Sequence, residues 1–335
     1  MQRGLGLLYL LVSINLGWGY ALPARERRQA AGSCQSTRQR RSWTNMSSDD
    51  KRAYLDAELC LQRTPAAYGI PGARSVWEEL QWAHIRSKNW IHGVGAFLPW
   101  HRYYLRAHEQ MLSQHCNYQL GTPYWEEALD VGNLFNAAVW DPQVGFGGDG
   151  SPDNGCVTTG PFSNLTLVFD SDGIAQEPRC LSRRFNPEQF SRAAQSEVDD
   201  CFRNSDWAGA SICYENWVHI AGHEGVGQVM ANALTAPGDP IFFLHHANID
   251  RMWSQWQSAG LPRRLTEMGR PNTPSADFNG ANNWAPPGPE WTSTSGDGGP
   301  ETTLNHVLWI AEIVPNATIR DVMDLGAGLS CATYV

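Results

Sequence analysis

A chain of 335 residues with 42% apolar and 18% charged residues can bury a sizeable core, which excludes a wholly disordered protein. Its formal net charge of −9 argues against nucleic acid or an anionic membrane surface as partner, because both attract cationic faces. No period of roughly 20–50 residues recurs, which excludes a solenoid or tandem array.

Residues 1–21 read as a secretory signal: Arg3, then an apolar run over 5–18 interrupted only by Ser13 and Asn15, then small Gly19 and Ala21 at cleavage spacing. That run is short for a membrane span, and no later run reaches the roughly 18 apolar residues a span needs. Residues 22–33 read as a propeptide or linker containing Arg25-Glu26-Arg27-Arg28, a dibasic stretch of the kind cut in the secretory pathway. Four Arg and one Glu lie in residues 1–28, so without them the chain keeps 21 basic against 33 acidic residues. The eight cysteines all lie beyond the signal, and an even count in an exported chain predicts disulfides, with the pairing left open. The N-x-S/T acceptors Asn45, Asn164 and Asn316 fit the same expectation of a secreted, extracellular glycoprotein.

From residue 34 the chain reads as one mainly helical domain. A Ser-Ser-Asp-Asp cluster predicts a helix over 49–61, and the spacing of Val76, Leu80, Ala83 and His84 predicts another over 75–87. Pro99 suits the first turn of a third, over about 100–116. Residues 141–190 carry turn signals with one strand-like run at 165–169. Helical patterning returns over 187–203, 211–233 and 248–258. A long surface loop rich in Gly, Pro and Asn follows over 260–302, then a strand over 307–314. The expected fold is a helical bundle with long loops and a few short strands. The fifteen tryptophans are expected to fill its core or wall a pocket.

Most of the ten histidines are grouped. His84, His92 and His101 fall close together; far downstream, His219 and His223 stand at i, i+4, and the doublet His245-His246 follows. An i, i+4 pair places two imidazoles on one helix face, and a third from another helix would complete a three-nitrogen site with open positions. Spacing alone suits copper, zinc, iron or nickel.

The flanking residues are more specific. Phe97-Leu98-Pro99-Trp100-His101-Arg102, with Leu105 and Glu109, resembles the first copper signature of the tyrosinase, catechol oxidase and molluscan hemocyanin family. The segment from Asp239-Pro240-Ile241-Phe242-Phe243-Leu244-His245-His246 to Asn248, Asp250 and Trp253 resembles the second. Pro123-Tyr124-Trp125, Asp321-Val322-Met323 and the stretch from Cys331 to Tyr334 extend the resemblance over 34–335, as in a secreted animal-type member, with no shielding domain or membrane anchor expected after it.

The resemblance implies a four-helix bundle holding two copper ions, the first (CuA) on His84, His92 and His101, the second (CuB) on His219, His223 and His246. His245, Asn248 and Asp250 would lie behind the ligands and orient imidazoles, and Arg251 would pair with a buried carboxylate. His108, His115 and His306 match no ligand position. O2 and small phenols or protein tyrosines are the implied partners, with roles in pigment such as melanin, in immunity or in matrix crosslinking. Phe242, Phe243 and Trp100 would wall the pocket or simply pack the core.

Several residues depart from the family pattern. Ile220 stands where many members have an Asn that holds a phenol-deprotonating water, and Glu224 follows the second CuB histidine. The family's water-holding glutamate has no clear counterpart; Asp206 and Glu215 are the nominated substitutes. Trp90 occupies the position of a cysteine that some members join to a histidine by a thioether. These departures favour oxidation of o-diphenols to o-quinones over hydroxylation of monophenols such as tyrosine. The rival expectations are a hemocyanin-like oxygen carrier, a zinc-bound tautomerase and a catalytically silent matrix protein.

Overall fold

The structure, a computed structural model, describes residues 34, 37–286 and 296–335. The expected signal and propeptide, residues 1–33, lie outside the described residues.

Two of the long helices start where a serine supplies a cap. In α1 (Ser48–Arg63) the Ser47 side chain accepts the Asp50 amide, with Asp49 and Asp50 in the first turn, where the helix dipole favours negative charge. In α2 (Val76–Ile91) Ser75 accepts the Glu78 amide. The third helix, α3 (Phe97–Cys116), begins three residues earlier than the sequence suggests. It holds Pro99 in its first turn, where the missing amide costs nothing, and ends at Asn117 in the left-handed conformation (φ 54°).

The predicted helix over 187–203 is broken into α4 (Pro187–Phe190), a 3-10 turn and α5 (Gln195–Phe202). The predicted helix over 211–233 is likewise in pieces: α6 (Trp207–Cys213), a π-helical turn (Tyr214–His219) and α7 (Ile220–Val226). It stops at Gly227 (φ +76°), where any Cβ would collide with the Arg184 carbonyl. The last bundle helix, α8 (Ile241–Ser258), starts seven residues before the expected position. There the Asp239 side chain accepts the Ile241 amide. Within the expected loop over 260–302 a short helix, α9 (Ala276–Asn282), forms.

Strands are peripheral and paired in twos. β1 (Arg38–Arg40) runs parallel to β6 (Ala332–Tyr334); β2 (Thr166–Phe169) and β3 (Ala175–Cys180) form a hairpin; β4 (Val307–Leu308) pairs with β5 (Ala317–Thr318). The strand expected over 307–314 therefore ends at Leu308, and Ala311 and Glu312 adopt positive φ (49° and 59°), which no strand accommodates. Four disulfides, Cys34–Cys331, Cys60–Cys116, Cys156–Cys180 and Cys201–Cys213, use all eight cysteines. None is left for a thioether to a histidine.

α2, α3, α7 and α8 bring their buried faces together in a mainly α bundle, and α1 packs on α2 and α3. Among the described residues no helix is long and apolar enough to cross a membrane. The glycosylation candidates Asn45, Asn164 and Asn316 are all exposed.

Candidate metal centre

The bundle gathers the histidines into two buried groups, His84, His92 and His101 in one, and His219, His223, His245 and His246 in the other. His84 comes from the middle of α2, and His92 from its C-cap, where the chain turns extended (φ −128°, ψ 141°). His101 lies one turn into α3. His219 closes the π-helical turn and His223 follows on α7, while the doublet sits in the first turns of α8. The groups meet where the rings of His101 and His246 stack, with centroids 4.3 Å apart and planes at 12°.

Protonation follows from the hydrogen bonds. The Nδ1 atoms of five rings face backbone carbonyls: His84 at Leu234 (3.0 Å), His92 at Lys88 (3.3 Å), His101 at Phe97 (2.8 Å), His219 at Glu215 (2.9 Å) and His223 at Met230 (2.6 Å). A carbonyl only accepts, so each Nδ1 carries the proton and each Nε2 keeps a bare lone pair. Burial drives the basicity of all five, and of His246, below the ordinary range, with neighbouring imidazoles adding to the effect in every ring but His92, which falls to about 4. The imidazoles are therefore neutral at pH 7.

Neutral rings with inward lone pairs repel unless a cation lies between them. His84 and His101 bring their Nε2 atoms to 3.4 Å, His223 and His246 theirs to 3.3 Å, and the buried Nε2 of His219 has no hydrogen-bond partner. The donor set thus fits two copper ions, one in each group. Each Nδ1 bond to the backbone fixes the tautomer and aims the ring.

Two phenylalanines enclose the centre. Phe242, fully buried, lies 4.1 Å from His246, 5.3 Å from His84 and 5.9 Å from His223 between ring centroids. Phe97, which motif reading quoted but gave no role, sits between the groups, 4.8 Å from His101 and 4.7 Å from His219. Phe243 faces away and stacks on His108 at 3.6 Å, whereas Trp100 stacks on Tyr104 and also packs against the rings of His101 (5.1 Å) and His84 (5.7 Å). Ile220 is half-buried beside His219, and Glu224 is exposed. Trp284, beyond α9, lies 5.8 Å from the His92 ring.

Other expectations need correction. Asp250 orients no imidazole. It accepts from Arg102 Nε (2.6 Å), Arg40 Nη1 (2.8 Å) and the Tyr334 hydroxyl (2.7 Å), because its position on α8 faces α3 and the β1–β6 pair. Among the described residues Arg251 pairs with no carboxylate; it donates to Asn248 Oδ1 (3.1 and 3.0 Å) and lies over Tyr124. Asn248 in turn donates to Glu127 Oε2 (3.1 Å), and Glu127 Oε1 is 2.5 Å from His245 Nδ1.

The two nominated substitutes lie in different surroundings. Asp206 caps α6. Glu215 is buried, takes the Gly93 amide at 2.5 Å and pairs with Arg270 at 2.7 Å, and burial raises its carboxyl despite that cation. Glu127 escaped sequence reading altogether, since it lies 118 residues from the histidine it contacts. His108 pairs with Glu58 and His306 with Asp297, both in the interior, whereas His115 is exposed. A groove of about 810 Å³ lies elsewhere, between the C-terminal half of α8 and β6. Its lining holds no histidine, so the centre is assigned by chemistry rather than by cavity size.

Comparison with known proteins agrees with this geometry. Residues 74–259 match the family model described as the common central domain of tyrosinase. The tyrosinase-like protein phomQ2 of Diaporthe leptostromiformis is 30% identical over 318 residues, covering 90% of this chain and 74% of that one. Tyrosinase ustQ of Aspergillus flavus is 28% identical over 315 residues, covering 90% and 80%. These relatives are fungal, not animal. A polyphenol oxidase variant from Thermothelomyces thermophila superposes with a TM-score of 0.77 at 26% identity, covering 89% of both chains. A functional unit of octopus hemocyanin shares the fold, with a TM-score of 0.52 at 19% identity over 89% of this chain and 68% of that one. With its paired histidine groups and this match over more than half its length, the chain belongs to the tyrosinase family of type 3 dicopper oxidases.

Proposed function

We propose that the protein is a secreted phenol oxidase that converts o-diphenols to o-quinones at the expense of O2. One copper is held by His84, His92 and His101, the other by His219, His223 and His246. The observation that carries this reading is the pair of neutral, carbonyl-locked histidine groups meeting at the stacked rings of His101 and His246. Four disulfides support an oxidising, extracellular location.

Bound copper supplies the electron-accepting, oxygen-binding chemistry that side chains lack. The chain's own residues do the rest. Backbone carbonyls hold five imidazoles in one tautomer, so the ligands need no rearrangement when metal enters. Phe97 and Phe242 exclude water from the space between the groups. Ile220 can neither accept a proton nor hold a water. Glu215 already faces the Gly93 amide and Arg270, which makes it a poor replacement for a base there. A catechol, more acidic and more easily oxidised than a monophenol, depends less on such a base, and diphenol oxidation is therefore the principal activity.

The test is one preparation measured for metal content and for turnover of a catechol beside its monophenol. Two copper ions per chain with catechol turnover well above monophenol turnover is the expected result, and Ile220→Asn should raise the monophenol share. Zinc in place of copper, or copper with reversible O2 binding and no turnover, would overturn the proposal in favour of a tautomerase or a carrier.

A further inference from the structure

Buried carboxylates in this protein generally have a cation or several amides to face. Glu109 and Asp250 meet Arg40, Asp239 meets Arg183, Glu215 meets Arg270, and Glu79 takes the amides of Ala67 and Tyr68. Two are different: Glu58, whose ion-pair partner is His108, and Glu127. Glu127 is completely buried, and among the described residues its ion-pair partner is His245 alone, with no Lys or Arg in range. Its two oxygens take the Nδ1 side of His245 (2.5 Å) and the Asn248 amide (3.1 Å), so both are met by donors, as a carboxylate requires. A buried carboxylate without a cation is costly unless positive charge arrives from elsewhere.

The pair lies against the second histidine group. The His245 ring stacks on His219 (5.4 Å, 26°) and lies 4.7 Å from His223 and 5.0 Å from His246. Room for it exists because residue 222, between His219 and His223 on α7, is glycine. A Cβ there would lie 2.5 Å from Glu127 Oε1 and closer still to His245 Nδ1. Six neutral imidazoles bring no negative charge to two metal cations. Glu127 is the nearest carboxylate that the fold has left without a cation of its own.

We infer that Glu127 is the counter-charge of the second copper site, a positioning residue that acts through His245 and favours the loaded protein over the empty one. The inference rests on the metal assignment proposed above. It separates two effects that a purely structural hydrogen bond would not: the carboxylate destabilises the metal-free fold and stabilises the metal-bound one.

The test uses the full chain, stripped of metal and titrated with copper against a competing chelator, with thermal unfolding recorded empty and loaded. Glu127→Gln keeps the shape and removes the charge. It should weaken uptake of one of the two coppers by about 10- to 100-fold, lower Tm of the loaded protein, and leave Tm of the empty protein unchanged or higher. Glu127→Asp, which keeps the charge, should recover part of the affinity. Glu58→Gln, in the buried Glu58–His108 pair that touches neither group, should leave copper uptake unchanged. Equal losses of Tm in the empty and loaded forms of Glu127→Gln, with unchanged copper affinity, would overturn the inference and leave the metal assignment standing. Wild-type protein that takes up no copper would overturn the metal assignment itself, and the counter-charge with it.

Discussion

Replacing Asp250 by Asn tests whether this residue serves the metal or the fold. Its carboxylate is 3% exposed and accepts from two guanidiniums and a phenol. The two arginines are not equally dependent on it. Arg40 keeps Glu109 at 2.8 Å, whereas Arg102 has no other carboxylate and retains only Gln257 Oε1 and the carbonyls of Val322 and Met323. Breaking one buried ion pair by removing a partner costs ~3–5 kcal/mol. Arg102 sets that figure, and the retained Glu109 keeps the total from doubling. At the few degrees per kcal/mol typical of large domains, Tm should fall on the order of 10 °C. Copper content of the protein that remains folded should be unchanged, because no Asp250 oxygen contacts a histidine. The assay is thermal unfolding followed by circular dichroism, with copper measured on the same samples. A normal Tm with copper lost would refute the argument and restore the role suggested by the motif, that of aiming an imidazole.

Other expectations follow from the same contacts. His223→Ala should lose about one copper per chain and abolish turnover. His306→Ala should keep both coppers and turnover but lose ~1–3 kcal/mol, since it removes one donor from the buried Asp297 carboxylate, which keeps Asn272 and Thr303, as denaturant unfolding would register. The metal-free protein should be pH-sensitive in one direction. Its six histidines stay neutral below the ordinary histidine range while the unfolded chain takes up protons, so stability is full above about pH 6.5 and falls as pH drops towards the folded value, about 4 for His92. Each such histidine contributes ~1.4 kcal/mol per pH unit within its window, and a denaturation midpoint equal at pH 7 and pH 5 would contradict this. Replacing Cys34 and Cys331 by Ser opens a loop of 297 residues and should cost ~2–5 kcal/mol, read as a lower Tm under non-reducing conditions.

Much of the centre was legible from local pattern. The grouping of His84, His92 and His101, and of His219, His223 and the His245-His246 doublet, is a short-range feature, and the flanking motifs, through the family resemblance, pointed to His246 within the doublet. The errors fell where the deciding partner is distant. Asp250 and Arg251 carry no local sign of whether they face histidines, because that depends on how α8 is rotated against α3 and β1. Glu215, nominated from sequence to hold a water, meets Arg270, which the 260–302 loop brings in. The single long helix expected over 211–233 fails for a reason of the same kind. Its stop at Gly227 is enforced by a carbonyl 43 residues earlier in the chain, that of Arg184.

The amino-acid sequence alone therefore determined the mainly helical class and the two histidine groups, because helix periodicity and ligand spacing are properties of neighbouring residues, while the motifs flanking His101 and His246 carried the resemblance to the family. Only the tertiary structure decided which lone pairs face each other, which carboxylates are already matched by arginines, and which one, Glu127, is left facing the metal side. Those are questions of charge in a low-dielectric interior, and the answer depends on groups more than a hundred residues apart being packed to within hydrogen-bond distance.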